Sequence, residues 1–412
     1  MIQLFRKGEW LTKKWVGYGP RSACSDFSNT ITVLNDPPRY NSPGSYQNEQ
    51  WKAGSQWQYI GAGDPLLVGW SDAPDYTYAY GDATPLYNSK MDGSMSTGHV
   101  SRGLVWLKPD HLVVYDRVAS KQADRFKRFW LNFENEPKIE GNLVTGSTSG
   151  GQKLFLRTLL PEKATYGVRS DHAMWEGGSK QTATGEHMAY RLMVEAPNQQ
   201  DVRFLHVLQG ADAGAAAEPA TRLASTSGTA FEGAVVHDTA VLFPRDFGEP
   251  ATAVGYEAPA SVKQHVVTGL VPDKGYAVVV KTAGDKVTVT LKLEGDNRTH
   301  KGGVLVFDPG GKTPPPPKSA QGGAASLEAI RAAAAGLPPP GSYSSPGIPV
   351  AGTGTGTATP GPAGAVTPPG SGGRGACGCG STAGGGGVLS MVMSAGALAT
   401  VLSRRSRRRR KK

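Results

Sequence analysis

Ser101-Arg102-Gly103-Leu104-Val105-Trp106-Leu107-Lys108-Pro109-Asp110-His111-Leu112-Val113-Val114-Tyr115-Asp116-Arg117-Val118 is the stretch that decides the fold class. Two runs of β-branched and aromatic residues flank a Lys-Pro-Asp centre, where proline presets the backbone for a turn and aspartate accepts its N–H bonds. The apolar residues show no helical period. The reading is a pair of antiparallel strands, Gly103–Leu107 and His111–Val118, with Asp116-Arg117 as the charged end of the second.

The same pattern recurs outward in both directions. Short apolar runs bounded by Gly, Pro, Asn and Asp occur at Asn29–Leu34, Arg203–Leu208, Val235–Phe243, His265–Leu270, Tyr276–Lys281, Lys286–Leu293 and Gly303–Phe307. Lys286–Leu293 alternates with period two, as a strand with one wet face does. Pro272–Gly275 and Ala283–Asp285 are the turns between neighbouring runs. The expectation is an all-β chain: a large antiparallel β-sandwich over residues 1–243 and a small β subdomain over 244–312. At Thr313 the composition changes to Pro, Gly, Ala and Thr, which cannot bury enough apolar surface to order itself, so 313–376 reads as a flexible linker.

The sequence has 412 residues, a formal net charge of +10, 55 Gly and 30 Pro. The charge is not spread evenly. Arg404 to Lys412 carries eight positive charges and no acid, and residues 313–403 add a net two, so residues 1–312 are formally neutral. A neutral folded part argues against a nucleic-acid partner. Ahead of the basic block, Gly384–Ser403 is uncharged and as a helix would span roughly 30 Å, the thickness of a bilayer core. Residues 377–412 thus read as a Cys-containing tail with one hydrophobic transmembrane helix, the Arg/Lys block remaining cytoplasmic. The start of the sequence has no apolar signal segment, and the simplest expectation is that it belongs to a longer exported protein.

Cys24, Cys377 and Cys379 form neither a disulfide framework nor a zinc spacing, and Cys24 reads as a small core or surface thiol. His99, His111, His172, His187, His206, His237, His265 and His300 show no metal-ligand spacing and read as surface or strand residues. No catalytic residue, metal or cofactor is expected. All eight tryptophans lie between Trp10 and Trp175. Aromatic faces stack on sugar rings, and Trp51 and Trp57 are the candidates for glycan contact, although Trp in an all-β protein is more often core.

Two sets of motifs carry a resemblance. Leu4–Leu11 (LFRKGEWL), Gly17-Tyr18-Gly19, Asn29-Thr30-Ile31, Tyr78–Tyr87 (YAYGDATPLY) and Ser101–Val118 occur in an order that resembles the C-terminal β-sandwich of heparinase II/III-like proteins, a group that includes polysaccharide lyases. Within it, Asp82 reads as a turn cap. The resemblance implies β-elimination on uronate-containing, acidic polysaccharide, with the base and neutralising groups supplied largely by an N-terminal α/α toroid and by a His-rich stretch, neither of which this sequence contains. Ser28 stands where the family often has a metal-site His; serine is the poorer ligand. The chain alone is therefore expected to be inactive. The second resemblance, Cys377-Gly378-Cys379 followed by an apolar segment and an Arg cluster, is to the MYXO-CTERM sorting signal. It implies export, processing by a sorting protease at Cys377 or Cys379, and retention at the cell surface. The alternatives are a non-catalytic glycan-binding or adhesive surface module and an envelope protein without a ligand.

Overall fold

The computed structural model describes residues 1–15, 24–39, 46–57, 63–90, 93–170, 188–196, 199–314, 317 and 319–322. Among them the chain is mostly β. In chain order the strands are β1 (Leu4–Arg6), β2 (Glu9–Thr12), β3 (Ile31–Val33), β4 (Leu66–Asp72), β5 (Tyr76–Asp82), β6 (Thr97–Leu107), β7 (His111–Ser120) and β8 (Lys127–Phe133). They continue with β9 (Lys138–Glu140), β10 (Leu143–Ser147), β11 (Lys153–Leu160), β12 (Thr165–Ser170), β13 (Tyr190–Glu195), β14 (Asp201–Ala211), β15 (Ala220–Gly228) and β16 (Phe231–Val236). The last are β17 (Thr239–Pro244), β18 (Ala253–Pro259), β19 (Gln264–Val267), β20 (Gly275–Ala283), β21 (Lys286–Leu293), β22 (Asn297–Arg298), β23 (Leu305–Phe307) and β24 (Ser319–Gly322).

β6 and β7 pair around the Lys108–Asp110 turn, as the opening stretch requires, and they lie inside a nine-stranded sheet ordered β24-β4-β5-β6-β7-β14-β11-β10-β9. Because side chains alternate across a strand, β7 feeds two cores. Leu112, Val114 and Val118 pack with Phe129 and Leu131 of β8 and Leu192 and Val194 of β13, which belong to a four-stranded sheet β12-β13-β8-β3. Val113 and Tyr115 pack with Val241 and Phe243 of β17 and Val266 of β19, on the other side. Each fully buried Val or Leu stabilises the fold by roughly 1.5–3 kcal/mol relative to exposure. Gly103 allows the close approach on that side, since a Cβ there would stand 2.9 Å from the Phe243 ring.

The remaining strands form a second nine-stranded sheet, β22-β20-β21-β18-β15-β16-β17-β19-β23, nearly closed into a barrel-like curl around a third core that includes Leu242, Tyr256, Tyr276 and Val289. Pairing is antiparallel except between β17 and β19.

Four details differ from the sequence reading. Val235–Phe243 is two strands, because His237 takes a left-handed φ of 56° and turns the chain between β16 and β17. The C-terminal sheet begins at Ala220, so the expected division at 243/244 falls inside it, within β17. Asp116-Arg117 does not end β7, which continues to Ser120; the two side chains leave the strand on opposite faces, each into a core. Finally, β24 lies within the stretch read as linker. It pairs with β4, whose free edge offers unpaired backbone groups to any extended segment. The rest of that stretch, with the C-terminal helix and the tail, lies outside the described residues.

Candidate functional site

The segment Cys24–Thr30 is laid on the outer face of the four-stranded sheet by two asparagines. Asn29, the first residue of Asn-Thr-Ile, adopts φ 50°, a conformation asparagine tolerates better than most residues. Its amide nitrogen donates to the Ile2 carbonyl and to Thr12 Oγ1, both at 2.8 Å, and its oxygen accepts the Asn132 N–H at 2.7 Å. Asn132 of β8 in turn donates through Nδ2 to the carbonyls of Lys13 and Phe27, each at 2.9 Å. Between them Ser25–Phe27 closes a 3-10 turn, with the Ser28 N–H donating to the Ser25 carbonyl at 2.9 Å.

This turn presents Asp26 to Arg191 of β13, Nη1 to Oδ2 at 2.5 Å. The Arg191 guanidinium stands 3.6 Å from the Phe27 ring centroid and 5.4 Å from that of Trp130. Arg169 of β12, which is exposed, stands 5.5 Å from the Trp130 centroid, and Trp15 packs on Phe27 at 5.3 Å. Cations over ring faces are held by the ring quadrupole, more strongly where water is excluded. Burial pushes the Asp26 carboxyl above its ordinary value, and the Arg191 charge offsets only part of that. Asp26 Oδ1 is buried and accepts no hydrogen bond. Asp26, Phe27, Trp130 and Arg191 are buried and Arg169 is exposed, so the face sets one accessible guanidinium, suited to an anion, over a buried ion pair and its aromatic rings.

The tryptophans singled out from the sequence, Trp51 and Trp57, bond elsewhere. Trp57 is buried at 5% exposure, its indole donating to the Tyr87 carbonyl at 3.1 Å, so it is a core residue and not an exposed contact. Trp51 is half-buried and donates to the Asn35 carbonyl at 3.0 Å. The segment after Trp51 is tied to the turn by the Ser25 N–H on Ser55 Oγ, 2.8 Å. Asp82 caps its turn, accepting from the Thr84 N–H at 2.8 Å and the Thr84 hydroxyl at 2.5 Å. Cys24 is a buried thiol. Ser28 is half-buried at the rim of the site, and among the described residues no group of three or more His, Cys, Asp or Glu could hold a metal ion. His206, His265 and His300 are interior strand or loop residues partnered by Thr158, Tyr256 and Tyr76. His172, His187, Cys377 and Cys379 lie outside the described residues. Asp26, Arg191 and Trp130 escaped the sequence reading; the one available signal was Arg128-Phe129-Trp130-Leu131, whose alternation leaves a tryptophan on the face opposite the core.

No protein-family model matches the chain, and no curated protein matches it. Solved structures do. The heparan sulfate lyase HepC from Pedobacter heparinus is similar with a TM-score of 0.41 and 12% identity, over 60% of this chain and 36% of that one. The heparinase III that is the BT4657 gene product gives 0.42 and 10%, over 59% and 35%. A further heparinase III gives 0.38 and 9%, over 54% and 30%. The likeness is to part of a heparinase. The chain spans about a third of the length of these lyases.

Proposed function

We propose that this chain is the β-sandwich part of a heparinase II/III-like surface protein, and that the outer face of the four-stranded sheet holds an acidic, uronate-containing polysaccharide. The observation that carries this reading is Arg191 held between Phe27 and Trp130 and paired to a half-satisfied Asp26, with Arg169 exposed beside it. A uronate carboxylate or sulfate meets the exposed Arg169, which packs over the Trp130 ring beside the buried Arg191–Asp26 pair. The motif residues supply the scaffold that fixes this face. In a β-elimination the uronate carboxylate is neutralised while the adjacent proton is removed and the leaving oxygen is protonated. Neutralisation is a task Arg169 suits; the base belongs to the toroid that the resemblance implies, so this chain alone binds and does not cleave. The C-terminal tail is proposed to hold the protein at the cell surface after processing at Cys377 or Cys379.

The test is to titrate the purified chain with heparan sulfate and alginate by calorimetry while following ultraviolet absorbance for unsaturated uronate. Binding without an absorbance rise is expected, weakened about tenfold by Arg169→Ala. A steady rise would overturn the inactivity, and no binding to either polymer would overturn the reading itself. For the tail, Cys377→Ala with Cys379→Ala is expected to release the protein from the membrane fraction; unchanged retention refutes the processing step.

A further inference from the structure

Side chains two apart on a strand share a face, so Arg117 follows Val113 and Tyr115 of β7 to the side of the second core. It is 6% exposed, its Nη1 donates to the Asp246 carbonyl at 3.2 Å, and its buried Nε has no acceptor. The register sets it between Ser101 of β6 and Arg203 of β14, so two arginines stand directly opposite each other. Arg203 has acids of its own, Asp246 at 2.6 Å and Asp201 at 3.1 Å, and Arg245 takes the other Asp246 oxygen at 3.1 Å. Asp82, one strand beyond Ser101 in the same row, is engaged in the Thr84 cap. Among the described residues no carboxylate stands at ion-pair distance from Arg117. An enclosed cation beside a like charge and without a counter-ion is unfavourable.

Arg117 lines a cavity of about 60 Å³ that lies between β4, β5 and the loop 246–250. One water needs about 10–15 Å³ of such space, so there is room for roughly four waters or one small organic acid. Tyr78 and Tyr80 of β5 supply part of the wall, the guanidinium standing 4.9 Å from the Tyr80 ring centroid. The Tyr80 hydroxyl, buried beside Ser101, makes no hydrogen bond of normal length. Phe247 forms the outer wall, its ring centroid 4.4 Å from that of His99 and 6.5 Å from that of Tyr80. The acids of the wall do not answer the Arg117 charge: Asp246 is taken by Arg203 and Arg245, and Glu249 is exposed.

We infer that this cavity binds a small carboxylate of about two to four carbons, its oxygens on the Nε side of the Arg117 fork and its carbon body against the Tyr80 and Phe247 rings. The planar guanidinium fork matches the two oxygens of a carboxylate, and the Tyr80 hydroxyl donates to the same group. One unpaired guanidinium answers one negative charge and the rings favour an apolar body, so a carboxylate suits the cavity better than a dianionic phosphate. The site is on the other side of β7 from the Arg191 face and does not depend on the glycan reading.

The experiment titrates the full chain with sodium propionate by calorimetry, with sodium chloride and inorganic phosphate at matched ionic strength beside it. Propionate is expected to bind with a Kd of about 1 mM and to raise the melting temperature. Arg117→Met keeps the bulk and removes the charge, and should weaken binding about tenfold or more. Tyr80→Phe removes a single hydroxyl and should weaken it about threefold to tenfold, which decides the matter if the arginine variant does not fold. Propionate affinity unchanged in either variant overturns the site. So do chloride heats equal to those of propionate, tighter binding of phosphate, and the absence of any binding by the native chain, which would leave the cavity filled by water.

Discussion

Two Arg–Asp pairs, one on each side of the four-stranded sheet, are built from the same residue types and do different work. Arg102 and Asp116 meet inside the first core through two bonds of 2.6 and 2.9 Å, and the third guanidinium nitrogen donates to the Asn29 carbonyl at 3.1 Å. Arg191 and Asp26, on the outer face, share one contact of 2.5 Å, and the second carboxyl oxygen is left without a donor. A saturated buried pair locks a scaffold, since nothing remains for a ligand to bond. The outer pair is also buried but leaves one carboxyl oxygen without a donor, and it lies beside Arg169, the group a ligand can reach.

The contrast is broken most directly by removing one partner of each pair. Arg102→Ala leaves Asp116 charged and enclosed, and unfolding should lose about 3–5 kcal/mol; a denaturant midpoint close to the native one would show that the inner pair is not scaffold. Arg191→Ala should cost less, about 1–3 kcal/mol, because Asp26 already has a raised pKa and can take up a proton. Its glycan affinity should fall further than its stability. Equal losses of stability for the two variants would erase the distinction.

Acid sharpens the comparison further. His206 lies in the first core, 4.1 Å from the Phe129 ring, and burial lowers its pKa to about 3. It stays neutral when folded while the unfolded chain takes up a proton below roughly 6.5, so stability falls as the pH drops from there toward about 3. His265 and His300, both lowered to about 4 by burial, act in the same direction. Thermal melts across this range should show a shallower decline for His206→Gln. Asp26 acts with the opposite sign. Its folded pKa is raised, so the folded state holds its proton more tightly and stability is lost as the pH rises above the unfolded value of roughly 3.9. Asp26→Asn should therefore gain stability relative to the native chain as the pH climbs through that window, the smallest of these effects. A pH-independent difference between the two would place Asp26 in ordinary water contact.

Several of these features can be read from the residues in order. The turn at Pro109 pairs Gly103–Leu107 with His111–Val118 as the spacing requires, and the resulting register sets Arg102 opposite Asp116, a pairing hidden by the reading of Asp116-Arg117 as a charged strand end. Asp82 two residues before Thr84 is a local cap, and its bond needs nothing beyond the turn. Trp57 was harder, because composition cannot tell a stacking platform from an indole whose N–H serves a buried carbonyl. The boundary of the C-terminal sheet was also hidden, since β15–β17 carry the same alternating pattern whether they join the strands before them or after them.

By itself, then, the sequence determined the all-β class, the hairpin from Ser101 to Val118 and the concentration of positive charge in the tail. These rest on interactions between residues near in the chain, where spacing dictates geometry. Only the tertiary structure decided that Asp26 meets Arg191 and that Trp130 and Phe27 enclose it. Asp26 and Arg191 are 165 residues apart, and no local period records a contact made by laying one segment across the face of a sheet formed elsewhere in the chain.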